Sequence, residues 1–113
     1  MSEKRVSFDG TRIRVDSSEW AVDYAIRDAR LVGDIVIIVY DYMAGPRHRQ
    51  FRNAQAFDLA GALLWTAEHP TSETADAYVN VVEAVPLILW NVACFLCTLD
   101  PRTGKLLNAQ FTK

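Results

Sequence analysis

Residues 35–42 read Ile-Val-Ile-Ile-Val-Tyr-Asp-Tyr, and both alternating faces of the run are apolar: Ile35, Ile37 and Val39 on one, Val36, Ile38 and Tyr40 on the other. β-Branched and aromatic side chains lose less freedom on a pleated surface than in a helix, so the run predicts a strand. Apolarity on both faces predicts that the strand is central and covered on both sides. Further runs follow, separated by turn chemistry. Residues 51–57 lead into Asp58-Leu59-Ala60-Gly61 and residues 62–67 return; residues 94–99 lead into Asp100-Pro101-Arg102-Thr103-Gly104 and residues 105–111 return. Asp can bond its own backbone two residues on, Pro presets φ, and Gly accepts positive φ, so each segment predicts a hairpin. Near the start, residues 5–15 form a third candidate hairpin around Asp9-Gly10. Residues 19–26 are ambiguous, because Trp20, Val22, Tyr24 and Ile26 alternate as a strand while Trp20, Tyr24 and Arg27 would also stack on a helix. The strand reading is preferred because the neighbours are strands. Residues 69–75, rich in Pro, Ser and Thr, predict a loop.

The pattern recurs. Residues 31–42 align with residues 81–92 at an offset of 50, Pro86 being the main exception. The offset drops to 42 where Phe57-Asp58 meets Leu99-Asp100, and becomes 43 where Gly61-Ala62-Leu63-Leu64 meets Gly104-Lys105-Leu106-Leu107. The drop of eight equals residues 43–50, an insertion carried by the first copy alone. Pro86 cannot donate to a ladder and should sit at a strand start or an edge. The expectation is therefore an all-β, internally duplicated antiparallel sandwich or open barrel of about eight to ten strands. It forms a single domain over residues 1–113, with repeats at about 31–66 and 81–111.

Composition adds mainly exclusions. A chain of 113 residues, half of them hydrophobic and 23% charged, is globular in character. A net charge of −2 and a pI near 5.6 give no general signal for nucleic acid or an acidic membrane. Residues 1–10 lack the apolar core of a secretory signal. The longest nearly apolar run, residues 85–99, is 15 residues long and interrupted by Asn91, short of the ~20 that span a bilayer. A cytoplasmic protein is expected.

The segments Asn53-Ala54-Gln55-Ala56-Phe57-Asp58 with Gly61-Ala62-Leu63-Leu64-Trp65, and Thr98-Leu99-Asp100-Pro101-Arg102-Thr103-Gly104-Lys105-Leu106-Leu107, resemble the strand-turn-strand of quinoprotein-type β-propeller blades. The likeness implies blade-like hairpins and says little about chemistry, since such folds host many functions. No cofactor follows from it, because quinone-enzyme sites need a complete ring. The wider layout, with Asp23-Tyr24, Val32-Gly33-Asp34 and the closing residues 104–113, is similar to small uncharacterised bacterial proteins, some of them immunity partners of secreted toxins. The resemblance assigns no residue to a toxin contact.

Candidate chemistry is sparse. Cys94 and Cys97 match C-x-x-C, but in a strand they point to opposite faces roughly 10 Å apart, and no second pair completes a metal site. Core packing is expected for them, and for Trp20, Trp65 and Trp90. Asp41, Glu68, Glu73, Asp76 and Glu83 are expected to be solvated surface groups. No Ser-His-Asp order or phosphate-cradling Gly loop is present, and no catalytic, metal or cofactor site is assigned. The inserted loop is the exception. Arg47, His48, Arg49 and Arg52 lie beside Tyr42, and guanidinium forks next to aromatic rings suit carboxylate or phosphate recognition. The bland alternative is a solvated hairpin tip that keeps an edge from pairing. The functional expectation is a non-enzymatic module that binds another protein, with a toxin-neutralising immunity protein as its narrower form and a homodimer through edge strands as a further association. The alternative is a small-molecule-binding barrel or minor enzyme with a cavity between the repeats.

Overall fold

A computed structural model of the chain describes residues 5–112. Part of the N-terminal segment used in the signal reading, residues 1–4, and the last residue of the closing segment, 113, lie outside the described residues. Among the described residues there are eleven strands and no helix: β1 Val6–Asp9, β2 Arg12–Val15, β3 Ser18–Ala21, β4 Ile26–Val32, β5 Ile35–Tyr40, β6 Ala54–Asp58, β7 Leu63–Thr66, β8 Tyr78–Glu83, β9 Leu87–Asn91, β10 Phe95–Leu99 and β11 Leu106–Phe111. They form three antiparallel meanders, ordered β1-β2-β3, β4-β5-β6-β7 and β8-β9-β10-β11. The meanders stack as an open sandwich, and none of the sheets closes into a barrel.

The alternation in β5 decides the stacking. Val36, Ile38 and Tyr40 face the first sheet, in a core with Ile13, Val15, Ile26, Phe51 and Phe57. Ile37 and Val39 face the third sheet, in a core with Ala54, Ala56, Trp65, Val81, Leu89 and Leu99. All five side chains are 2% exposed or less, so the middle sheet is covered on both faces as its sequence predicts. Strand β4, at one edge of the middle sheet, touches both β1 and β8. At β8 the register with β9 shifts on both sides of Val81. The backbone groups of Val81 are taken by β4 instead: its N–H donates to Asp28 Oδ2 at 2.8 Å, and Arg30 donates to its carbonyl at 3.4 Å.

The turns follow their local chemistry. Asp58 Oδ1 accepts from the amides of Ala60 and Ala62, and Asp100 Oδ1 from that of Arg102, each Asp reaching two residues on. The segment expected as one strand over residues 19–26 is instead split. β3 ends at Ala21 and β4 starts at Ile26, which brings the count to eleven. Strand β5 stops at Tyr40 because Asp41 starts a turn, accepting the amide of Met43 on its side chain and that of Ala44 on its carbonyl. Pro86 immediately precedes β9, where its missing N–H costs no ladder bond.

Trp65 ties the second sheet to the third, its indole N–H donating to the Pro101 carbonyl at 2.9 Å. Its ring lies against Gly104, whose φ of +75° is left-handed and where an added Cβ would overlap the indole. Gly33 has a similar φ of +61° but open space around it. Gly33→Ala should therefore cost only the left-handed penalty, about 1 kcal/mol, and Gly104→Ala roughly 3 kcal/mol because Trp65 must also move. Urea titration of the two variants measures the difference, and equal losses would contradict the packing role of Gly104.

Candidate functional site

The inserted loop after β5 meets the linker before β8 and the β9–β10 turn at one end of the sandwich. What seats it is apolar. Phe51 is buried, its ring centroid 4.6 Å from that of Tyr24 and 6.2 Å from that of Tyr40. Gly45 lies under the Phe51 ring with no room for a Cβ. Gln50 pins the loop to the linker, its amide donating to the carbonyls of Thr71 at 2.8 Å and Glu73 at 3.2 Å.

Phe51 and Pro46 form a ridge with a depression of about 540 Å³ on each side. On one side, between the second and third sheets, lie Tyr42, Met43 and Arg47 with Thr74, Ala75, Ala77 and Val92. On the other lie Arg49 and Arg52 with Asp23, Tyr24 and Gln55. The five residues singled out in the sequence are thus not one cluster: Tyr42 and Arg47 belong to one depression, Arg49 and Arg52 to the other. His48 is exposed and lines neither. Arg27 stacks over Tyr42, its Cζ 5.9 Å from the ring centroid.

The chemistry that sequence reading missed lies beneath this surface. Asp76, expected on the surface, is 1% exposed and is the hub of a buried network. Its Oδ1 is 2.8 Å from His69 Nδ1 and accepts from Asn91 Nδ2 at 2.6 Å. Its Oδ2 accepts from the Thr71 amide at 3.0 Å and the Thr71 hydroxyl at 2.6 Å. A buried carboxylate is tolerable only when so saturated with donors. Asn53, fully buried, adds a second tie: it accepts the Tyr78 amide and donates to the carbonyls of Tyr40 and Tyr78, joining the middle sheet to β8. Asn91 carried a signal in the sequence, as an amide side chain in the middle of the longest nearly apolar run; such a group there demands a buried partner.

His69 and Asp76 have the arrangement of a base and its orienting carboxylate, but the His69 side chain is 1% exposed and its Nε2 has no polar partner among the described residues. With no acceptor for a proton on Nε2, the ring is neutral and donates from Nδ1. The pair therefore fastens the linker. Burial first, and then Arg52 nearby, hold the His69 pKa below its ordinary value against the pull of Asp76. Burial opposes ionisation of Asp76, yet hydrogen bonds from Thr71, His69 and Asn91 outweigh it and set its pKa below normal.

The cysteines need one correction: Cys94 is not in a strand but in the β9–β10 turn, with φ 70°. Cys97 is buried in β10, and burial raises its thiol pKa to about 11. Both thiols are free. Trp65 is core as expected, whereas Trp20 and Trp90 are only partly buried, Trp90 because it pairs across strands with Asn80 and Leu96 on the outer face of the third sheet. Among the described residues no cluster of three His, Cys, Asp or Glu could hold a metal ion, and no helix is long and apolar enough to cross a membrane.

These features define a small all-β protein of three stacked meanders with an open, loop-built surface at one end. The chain belongs to a family described as a domain of unknown function (DUF7957), whose model matches residues 3–111. No curated protein matches it. Among solved structures it is similar to the computationally designed Ika8 protein, at 12% identity and a TM-score of 0.44; the match covers 96% of this chain and 49% of that one. The chain thus spans about half the length of that structure, and a likeness this distant carries no functional argument.

Because both folded-state pKa values are depressed, stability is present at neutral pH and lost on acidification. The loss begins as pH falls below the unfolded His value of about 6.5, and deepens below about 4 as Asp76 is driven toward protonation. The thermal midpoint should fall from pH 7 to pH 5, and His69→Gln, which keeps a donor to Asp76, should flatten that slope. Asp76→Asn should cost about 2 kcal/mol at pH 7, since it replaces a charged acceptor facing four donors. An unchanged slope in His69→Gln would contradict the buried neutral imidazole.

Proposed function

We propose that the protein is a non-enzymatic module that binds another protein through the end built by the inserted loop, the linker and the β9–β10 turn. One observation carries this reading: Tyr42, Met43 and Val92 stand 41%, 56% and 37% exposed around a shallow groove, above a core that is filled. Large apolar side chains held in the open on a rigid base are what an interface core requires. Action would be by occlusion, a partner surface being covered rather than chemically altered. The likeness of the chain's layout to immunity proteins supports toxin neutralisation as the narrower form of this activity. Two free thiols suit a cytoplasmic setting. A small-molecule site is less well supported, because the depressions open between loops at the surface and His69, the one buried base beside them, is sealed off.

A photo-crosslinking residue placed at Met43 in cells of the source organism should yield one discrete protein adduct, and the same residue at Leu107, which is 64% exposed on β11, should not. Tyr42→Ala should weaken the purified complex by about 1–2 kcal/mol while leaving the thermal midpoint unchanged. No adduct at Met43, or equal adducts at both positions, would sink the proposal.

A further inference from the structure

We infer that the segment bound at this end is acidic: a stretch of a partner protein that presents a large apolar side chain flanked by Asp or Glu. The apolar group sits in the groove beside Tyr42 and Met43, and the carboxylates are taken by Arg47, Arg49 and Arg52. The inference rests on the protein-binding reading and specifies the chemistry of its partner.

The two depressions that meet at the Pro46–Phe51 ridge are lined by three guanidinium groups and one carboxylate, Asp23. None of the three arginines holds a carboxylate in an ion pair among the described residues. The contrast with the first sheet is direct: there Arg12 and Arg14 each grip Glu19 at 2.8 Å, so the charge in that depression is already spent. Of the acids near the loop, Asp23 is the single carboxylate lining the arginine side, and two others are engaged elsewhere. Asp41 caps its own turn through Met43, and Asp76 is saturated beneath the surface. Three unpaired forks on a chain of net charge −2 leave a local excess of donors with the geometry for carboxylates.

The apolar half of the site selects among anions. The groove on the Tyr42 side has Arg47 as its only charged lining residue among the described residues, and buried Phe51 and Ala77 are part of its apolar lining. A phosphate backbone would engage the arginines but leave that groove unfilled. A peptide carrying Leu, Phe, Tyr or Trp next to carboxylates fills both halves, the apolar anchor giving affinity and the rim charges register and encounter rate.

The test is selection of random dodecapeptides on the full chain, with the Arg47→Glu/Arg49→Glu/Arg52→Glu variant as counter-selection. Enriched sequences should place a large apolar residue within a few positions of two or more Asp or Glu. A synthetic copy of the most enriched peptide should bind roughly tenfold more weakly when salt rises from about 50 to about 300 mM, and as weakly to the triple variant. Met43→Asp should remove binding with no change in thermal midpoint, showing that the loss is not unfolding. Enrichment of neutral or basic sequences that still depend on Met43 would overturn the acidic chemistry while leaving the protein-binding reading in place. Failure to enrich any sequence, or tighter binding of a single-stranded oligonucleotide than of the selected peptides, would overturn the inference outright.

Discussion

Strand β5 gives its two faces to two different cores, and the rest of the molecule depends on that division. A strand hydrophobic on one side only would have left the middle sheet half solvated and one neighbouring meander without a partner. Here Val36, Ile38 and Tyr40 bury the first sheet's contribution, while Ile37 and Val39 bury that of the third. The first meander has only three short strands, and a sheet of that size needs a packed face to persist in water. Its inward residues Ile13 and Val15 find that face on β5 and its neighbours.

The same arrangement creates the end at which function is proposed. Where β5 and β8 approach, their polar ends cannot be left bare. Asn53 spans them with three hydrogen bonds, and Asp76 gathers His69 and Thr71 of the linker and Asn91 at the end of β9 around one carboxylate. With the linker fixed, Gln50 has rigid carbonyls to donate to, and with Phe51 buried the inserted loop has a hinge-free base. The exposed Tyr42 and Met43 are therefore presented by a loop anchored at Gln50 and Phe51, which reduces the entropic cost of binding.

What was legible in the sequence is what local physics decides. The two-faced alternation of residues 35–40 stands out because period and residue type agree. The turns opened by Asp58 and Asp100 stand out because their hydrogen bonds close within a few residues. What was illegible depends on partners far along the chain. Asp28 and Arg30 make β4 look too polar for a strand packed between sheets, yet they serve the backbone of Val81, more than fifty positions away. Asp76 resembled any loop acid because its donors, His69 and Thr71 of the linker and Asn91 of β9, converge on it only in the fold. The break between β3 and β4 was hidden by Trp20, Val22, Tyr24 and Ile26, whose alternation runs straight through the bend. The five loop residues looked like one site because they are adjacent in sequence; Phe51 turns inward among them and parts them into two depressions.

Native-state hydrogen exchange tests the dependence on β5 most directly, since it reads the free energy of opening strand by strand. If both cores hang on the middle sheet, the amides of Ile37, Ile38 and Val39 exchange only through global unfolding, while those of residues 43–50 exchange through local motion and leave the sheets protected. Exchange of the β5 amides ahead of those in β9 and β10, or loss of β5 protection together with the loop, would contradict the account.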